Sequence, residues 1–302
     1  MQVLKPITLG IAAIALGGNA APRTASSACA LARADSRGEL VHVPFKQIDG
    51  RIYVDVLVNG KGPYVFALDT GASGIGRADN RLVAALDLPS GTETQTSDGV
   101  QVSQVKTVKV RSLRLGRLER SGQEVIARDY RSRMAPEAAF AGILGREFFG
   151  DGLLVIDYGR QTVSFTRSRS MNPAMPGAMR YAKAFRVPIT IGGIETPGHL
   201  DTGANVSLIL PLAFYSKVSS EPLGEQATGT LTNTRITTHR ATIKGPVRVG
   251  NVTSSGVQAR VSEQFPEVVV GAHFLRNRVL LIDQRSQTVA LCPARAKRPA
   301  EN

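Results

Sequence analysis

One tripeptide, written twice, carries the chemistry of this sequence. Asp69-Thr70-Gly71 is followed by Ala72, and Asp201-Thr202-Gly203 by Ala204. A single Asp-Thr-Gly means little, because short motifs recur by chance and an Asp after a strand commonly caps a turn. Here each Asp follows an apolar run, Tyr64 to Leu68 in the first copy, and a structural turn has no need of the same polar triplet twice. Two carboxyl groups held close together cannot both ionise, so they share one proton and titrate as a pair. Such a pair can activate a water. The charged member takes its proton while the neutral member hydrogen-bonds the carbonyl under attack, with no covalent intermediate. Asp69 and Asp201 are therefore the candidate catalytic residues. Gly71 and Gly203 let the chain turn tightly and bring backbone amides to the carboxylates. The hydroxyls of Thr70 and Thr202 can reach across and lock one copy to the other.

The elements that must position these groups are duplicated as well. Ala141-Gly142-Ile143-Leu144-Gly145 returns as Glu267-Val268-Val269-Val270-Gly271, and Val155-Ile156-Asp157 as Leu281-Ile282-Asp283. Gly145 precedes Asp157 by 12 positions and Gly271 precedes Asp283 by 12, whereas the distance from Asp-Thr-Gly to the later glycine differs between copies. A duplicated unit with a variable loop or hairpin in its middle has this pattern. The periodicity is mostly two: Ile52 to Val58 and Val105 to Val110 read as strands, with Asn59-Gly60-Lys61-Gly62-Pro63 as a hairpin turn between strands. Short helices are predicted over Asn80 to Leu86, Arg146 to Phe149 and Ala272 to Leu275. Met171 to Met179, with two prolines and no period, reads as a linker. The expected architecture is mainly β in two lobes. Its divisions are 1–34 (leader and N-terminal extension), 38–168 (first lobe), 169–180 (linker), 181–293 (second lobe) and 294–302 (basic tail).

These motifs resemble those of the retropepsin-like and pepsin-like aspartic proteases, with both halves on one chain in a bacterial-type exported form. The resemblance rests on Asp69-Thr70-Gly71-Ala72 and Asp201-Thr202-Gly203-Ala204, each paired with a downstream Ile143-Leu144-Gly145 or Val269-Val270-Gly271, and it spans roughly Leu40 to Leu291. It implies a bilobal acid-protease fold of two pseudo-twofold-related β-barrel lobes, and an endopeptidase with no metal and no organic cofactor. It also implies a flap hairpin over the substrate, placed by position at Thr92 to Val105 around Asp98-Gly99. Neither this stretch nor its second-lobe counterpart, Gly229 to Thr242, contains Tyr. A peptide or protein substrate would bind extended along the flap. One chain supplies both carboxylates, so a monomer suffices. The alternative is a catalytically weak or inactive peptide-binding protein on the same fold.

Composition trims the remaining options. The chain has 302 residues, 42% of them hydrophobic, which excludes a disordered protein, and its two cysteines exclude a disulfide-dense scaffold or zinc ribbon. The net charge of +13 invites a nucleic-acid partner, but the basic residues are scattered, without interleaved aromatics or a recognition-helix pattern. No nucleic acid is expected, and the four histidines lack metal-ligand spacing. Lys5 followed by the apolar run Ile7 to Gly18 and small-residue cleavage patterns reads as a signal peptide, with an uncleaved anchor as the alternative. Its removal takes away three cations and no acid, leaving +10. The expectation is an exported protein, periplasmic or secreted, with no stable membrane insertion after cleavage. Cleavage after Ala20 leaves Cys29 free to pair with Cys292, whereas cleavage after Ala30 or Ala32 leaves Cys292 alone.

Overall fold

The computed structural model describes residues 27–32, 38–130, 132 and 134–294. The signal-peptide run and nearly all of the basic tail lie outside them. Among the described residues no helix is long and apolar enough to cross a membrane.

The chain is mainly β, in three sheets. One sheet of six strands is built from both halves of the sequence and joins the lobes. At its centre Leu153–Asp157 runs antiparallel to Arg278–Asp283, with Val155 opposite Leu281 and Asp157 opposite Val279. Val155 and Leu281 are repeat-equivalent, so this register is its own mirror, and a pseudo-twofold axis passes between them. Leu153 to Asp157 and Val279 to Asp283 are buried throughout, which explains the apolar runs Leu153 to Ile156 and Val279 to Ile282.

Each lobe then has its own sheet with the same inner order. In the first, Lys61–Leu68 leads into Asp69 and pairs in parallel with Gly142–Leu144. That strand pairs antiparallel with Gly76–Asp79, which pairs in parallel with Leu118–Arg128. In the second, Ile194–Asp201, Val268–Gly271, Leu208–Pro211 and Val257–Ser262 repeat the arrangement. Directly after the second of these strands, Leu144 to Arg146 runs against the Asp-Thr-Gly loop, its backbone bonded to the Asp69 amide and to the Ile75 and Ala72 carbonyls, and Gly271 to His273 bonds likewise to the Ser207, Ala204 and Val206 carbonyls. A Cβ on Gly145 would run into the Gly74 carbonyl, and one on Gly271 into that of Val206, so the apolar-apolar-Gly element is repeated because only glycine fits there.

The short helices Asn80–Leu86 and Ala272–Leu275 and the turn Arg146–Phe149 fall where the sequence places them. Asn59 and Gly60 have φ of 53° and 77°, the backbone that a two-residue hairpin turn requires. Two segments are more closely packed than the sequence suggests. In the linker, Met171 is buried and its amide donates to Asp283 Oδ2, while Met179–Arg180 adds a strand to the six-stranded sheet. In the N-terminal extension, Ala28–Leu31 forms a helical turn with Ala28 fully buried, and Cys29 is disulfide-bonded to Cys292 on the last strand.

Candidate active site

The two strands that precede the aspartates deliver them to the lobe boundary, where the loops interlock through the threonines. Thr70 Oγ1 donates to the Leu200 carbonyl (2.9 Å) and accepts from the Thr202 amide (3.0 Å). Thr202 Oγ1 reciprocates, donating to the Leu68 carbonyl (2.8 Å) and accepting from the Thr70 amide (3.0 Å). Both threonines are buried, so these four bonds operate away from water, where leaving any group unmade is costly.

This lock sets the two carboxyl groups side by side, each against the other loop's glycine. Each loop also supports its own carboxylate: Gly71 and Ala72 donate their amides to Asp69 Oδ1 (2.8 and 3.0 Å), and Gly203 donates to Asp201 Oδ1 (2.8 Å). The glycines face the opposite aspartate. A Cβ on Gly71 would lie 2.6 Å from Asp201 Oδ2, and one on Gly203 would collide with the Asp69 carboxylate. Burial raises the Asp201 carboxyl well above the usual carboxylate range. The neighbouring Asp69 charge pushes it further, against the opposing pull of the Gly203 and Ala204 amides. The site thus holds two adjacent carboxyl groups, one disposed to keep its proton, framed by backbone donors. That arrangement can activate a water and polarise a carbonyl at once.

Several supporting residues come from positions that no motif marks. Arg146 Nη1 donates to the Gly71 carbonyl (3.1 Å). Arg51 Nε donates to the Gly203 carbonyl (2.8 Å) and its Nη2 to Asn205 Oδ1 (3.3 Å), bracing the second loop from the first lobe. Asn205 also donates to Asp49 Oδ2, so the sequon-like Asn205-Val206-Ser207 is engaged in an interlobe contact. Tyr158 is buried within range of Asp201, and burial foremost, then that carboxylate, pushes its phenol up. His199, two residues before Asp201, instead binds Glu267 Oε2 (2.7 Å). No group of three or more metal-ligating side chains occurs among the described residues.

Asp98 and Gly99 sit at the tip of the hairpin formed by Ser90–Ser97 and Val102–Leu115. Asp98 Oδ1 accepts from the Val100 and Gln101 amides and shapes the turn, and Gly99 takes a φ of 90°. Asp98 Oδ2 accepts from the Asn233 amide (2.7 Å) at the tip of the second-lobe hairpin, Gln226–Thr230 with Arg235–Ile243. Asn233 Nδ2 donates to the Thr96 and Gln101 carbonyls (3.2 and 2.9 Å), and its Oδ1 accepts from Arg128. Val100 packs on an apolar cluster of the second lobe that includes Ile209, Ile236, Phe265 and Val269, with Ala204 beside it. The two hairpins therefore meet tip to tip, joined through Asp98 and Asn233.

Comparison with curated proteins finds no match. The aspartyl protease family, by contrast, is matched twice, by residues 54–148 and by residues 187–274. Each match contains one Asp-Thr-Gly loop and the apolar-apolar-Gly element threaded beneath it. Together they cover more than half of the sequence, and the chain belongs to the aspartyl protease family.

Proposed function

We propose that this protein is an aspartic endopeptidase whose catalytic dyad is Asp69 and Asp201. The observation that carries this reading is the juxtaposition of the two carboxyl groups, each facing the other loop's glycine and held by the Thr70–Thr202 lock, with Asp201 biased towards its protonated form. A water between the carboxyls loses a proton to the charged member and attacks the peptide carbon. The neutral carboxyl hydrogen-bonds the carbonyl oxygen and stabilises the developing negative charge. The proton then passes to the leaving nitrogen, and the dyad returns to its singly protonated state. One chain furnishes both halves, so a monomer is the working unit. Substrate lies extended between the dyad and the joined hairpins.

The reading extends to export. A leader removed ahead of Cys29 leaves the Cys29–Cys292 disulfide in the mature chain, and a bond of this kind persists in an oxidising compartment. The deciding experiment is cleavage of a peptide library by the wild type and by Asp69→Asn and Asp201→Asn. Each variant should lose at least ~10²–10³-fold in kcat/KM while keeping its Tm. Cleavage by either variant at the wild-type rate would refute the assignment.

A further inference from the structure

The face of the second-lobe sheet that carries Asp201 also carries a cluster of charged side chains. Side chains alternate along a strand, so Asp201, His199, Pro197 and Glu195 leave Ile194–Asp201 on one face, while Leu200 turns to the main core. Val269 lies beside His199 on that face, with Ile209 next to it. Val100, from the tip of the first-lobe hairpin, packs on the cluster these two residues help to form. The hairpins therefore roof the face on which His199 stands, two residues or about 7 Å along the strand from Asp201.

The cross-strand neighbour of His199 is Arg186. Both bind Glu267: Arg186 Nε donates to Oε2 (2.8 Å), and His199 Nε2 lies 2.7 Å from the same oxygen. His199 Nδ1 faces the Ala184 carbonyl (3.2 Å). Both partners of the ring are acceptors, so the imidazolium, with two N–H groups, is the form that satisfies them together. Burial works against the Glu267 charge, but the hydrogen bonds from Arg186 and His199 outweigh it and hold that carboxyl below its usual range. The trio thus carries two cations and one anion. It is also accessible, with Arg186, His199 and Glu267 side chains 38, 30 and 32% exposed. A cavity of about 480 Å³ adjoins Arg186, with Pro188 and Pro197 in its lining, and its other charges, Arg180 and Glu195, offset each other. Arg260, a further cation in the row of His199, is three strands away. In the first lobe the equivalent positions hold Ala67 (two before Asp69), Tyr53 (opposite Ala67) and Ala141 (four before Gly145). Ala67 and Tyr53 are buried there in a cluster with Phe140.

We propose that Arg186 and His199, braced by Glu267, form a subsite on the second-lobe wall that receives an acidic side chain of the substrate. This rests on the endopeptidase reading above. Arg186 commits its Nε to Glu267, which orients the guanidinium and leaves the two Nη groups for the incoming carboxylate. His199 adds the second positive charge that makes the wall net cationic beside the Glu267 anion. Water still reaches these side chains, so the gain is moderate rather than that of a buried ion pair. Recognition is one-sided about the scissile bond, because Ala67, Tyr53 and Ala141 carry no charge at the matching positions of the first lobe.

The test uses the full chain and peptides in which one residue is scanned across the positions flanking the cleaved bond as Glu, Gln or Lys. The assay runs at about pH 5.5, where a Glu side chain is ionised and an ordinary imidazole is protonated. At one position, on one side of the bond, the wild type should prefer Glu to Gln by about fivefold or more in kcat/KM, with Lys disfavoured. Arg186→Met should bring the Glu/Gln ratio to about one, and Arg186→Lys should keep part of it. Arg186→Glu should invert the order and favour Lys. The ratio is internal to each variant, so a general loss of activity or folded protein leaves it readable. A wild-type ratio near one at every position, a wild-type preference for Lys, or a Glu preference that survives Arg186→Met overturns the proposal. The same peptides are titrated by fluorescence anisotropy against Asp69→Asn protein with and without Arg186→Met. If the wild type cleaves nothing, the endopeptidase reading fails, and this titration alone decides the subsite. Tighter binding of a Glu peptide that is lost with Arg186→Met upholds it, and equal binding of all peptides, or of none, rejects it.

Discussion

Thr70 and Thr202 each donate a hydroxyl hydrogen to the carbonyl that precedes the other's aspartate, and each accepts the other's amide. The aspartates are therefore aligned by bonds between the lobes rather than within one. Thr202→Val keeps the shape but removes the hydroxyl, leaving the Leu68 carbonyl and the Thr70 amide buried and unpaired. The expected cost is about 2–4 kcal/mol of stability, with kcat falling more than KM rises because the carboxyl groups lose their alignment. Thermal denaturation and steady-state kinetics check both. A variant with unchanged kcat would show that the lock serves stability alone.

Asp201 sets the pH dependence. Burial, then the Asp69 charge, pushes its carboxyl from 3.8 up to about 7 in the folded protein. The native state thus holds the proton more tightly than the unfolded chain does. That contribution to stability is present in full below about pH 4 and fades as pH rises through the window to about 7. The proposed mechanism uses the singly protonated pair, so peptide cleavage should fall over the upper part of the same window. Asp201→Asn removes the titrating group, so its Tm should vary less with pH than that of the wild type between pH 4 and 7. Parallel Tm–pH curves for the two proteins would contradict this.

What the sequence discloses and what it conceals divide along physical lines. The repeated loops, the apolar-apolar-Gly elements and the Asn59-Gly60 turn are legible because each is a local backbone requirement: a close approach only glycine permits, or a positive φ. The mainly β, two-lobed plan follows from the same repeats. Arg51 and Arg146 are not legible, since each reaches its loop from 152 and 75 residues away in the sequence. Nothing local distinguishes them from other surface arginines. Asn233, at an unremarkable hairpin tip, gains its meaning from the opposite lobe.

Asn233 is the latch between the hairpins. Asn233→Ala leaves the backbone bond to Asp98 but removes the bonds to Thr96, Gln101 and Arg128. The tips should then separate more readily, with faster amide exchange over residues 98–101 and 231–234 and little change in the six-stranded sheet. Peptide release should quicken, so KM rises. If product release limits turnover, kcat rises with it. Hydrogen exchange by mass spectrometry provides the check, and protection at both tips equal to that of the wild type would exclude a latch.

The Cys29–Cys292 bond closes a loop of 263 residues and pins a buried helical turn to the last strand of the six-stranded sheet. Loop-closure entropy grows only slowly with length, so a loop this long contributes about 5.6 kcal/mol in the chain-entropy account, and about 2–5 kcal/mol is expected on its removal. For a chain of this size that is a fall in Tm of about 4–9 °C. Cys29→Ser, Cys292→Ser and reduction of the wild type should give the same fall, and combining reduction with either substitution should add nothing. The dyad is held by the Thr70–Thr202 bonds, remote in sequence from both cysteines. Activity per folded molecule at low temperature should therefore survive reduction. A Tm unchanged by reductant, alongside an intact mass showing both thiols free beforehand, would mean the bond does not form in the mature protein.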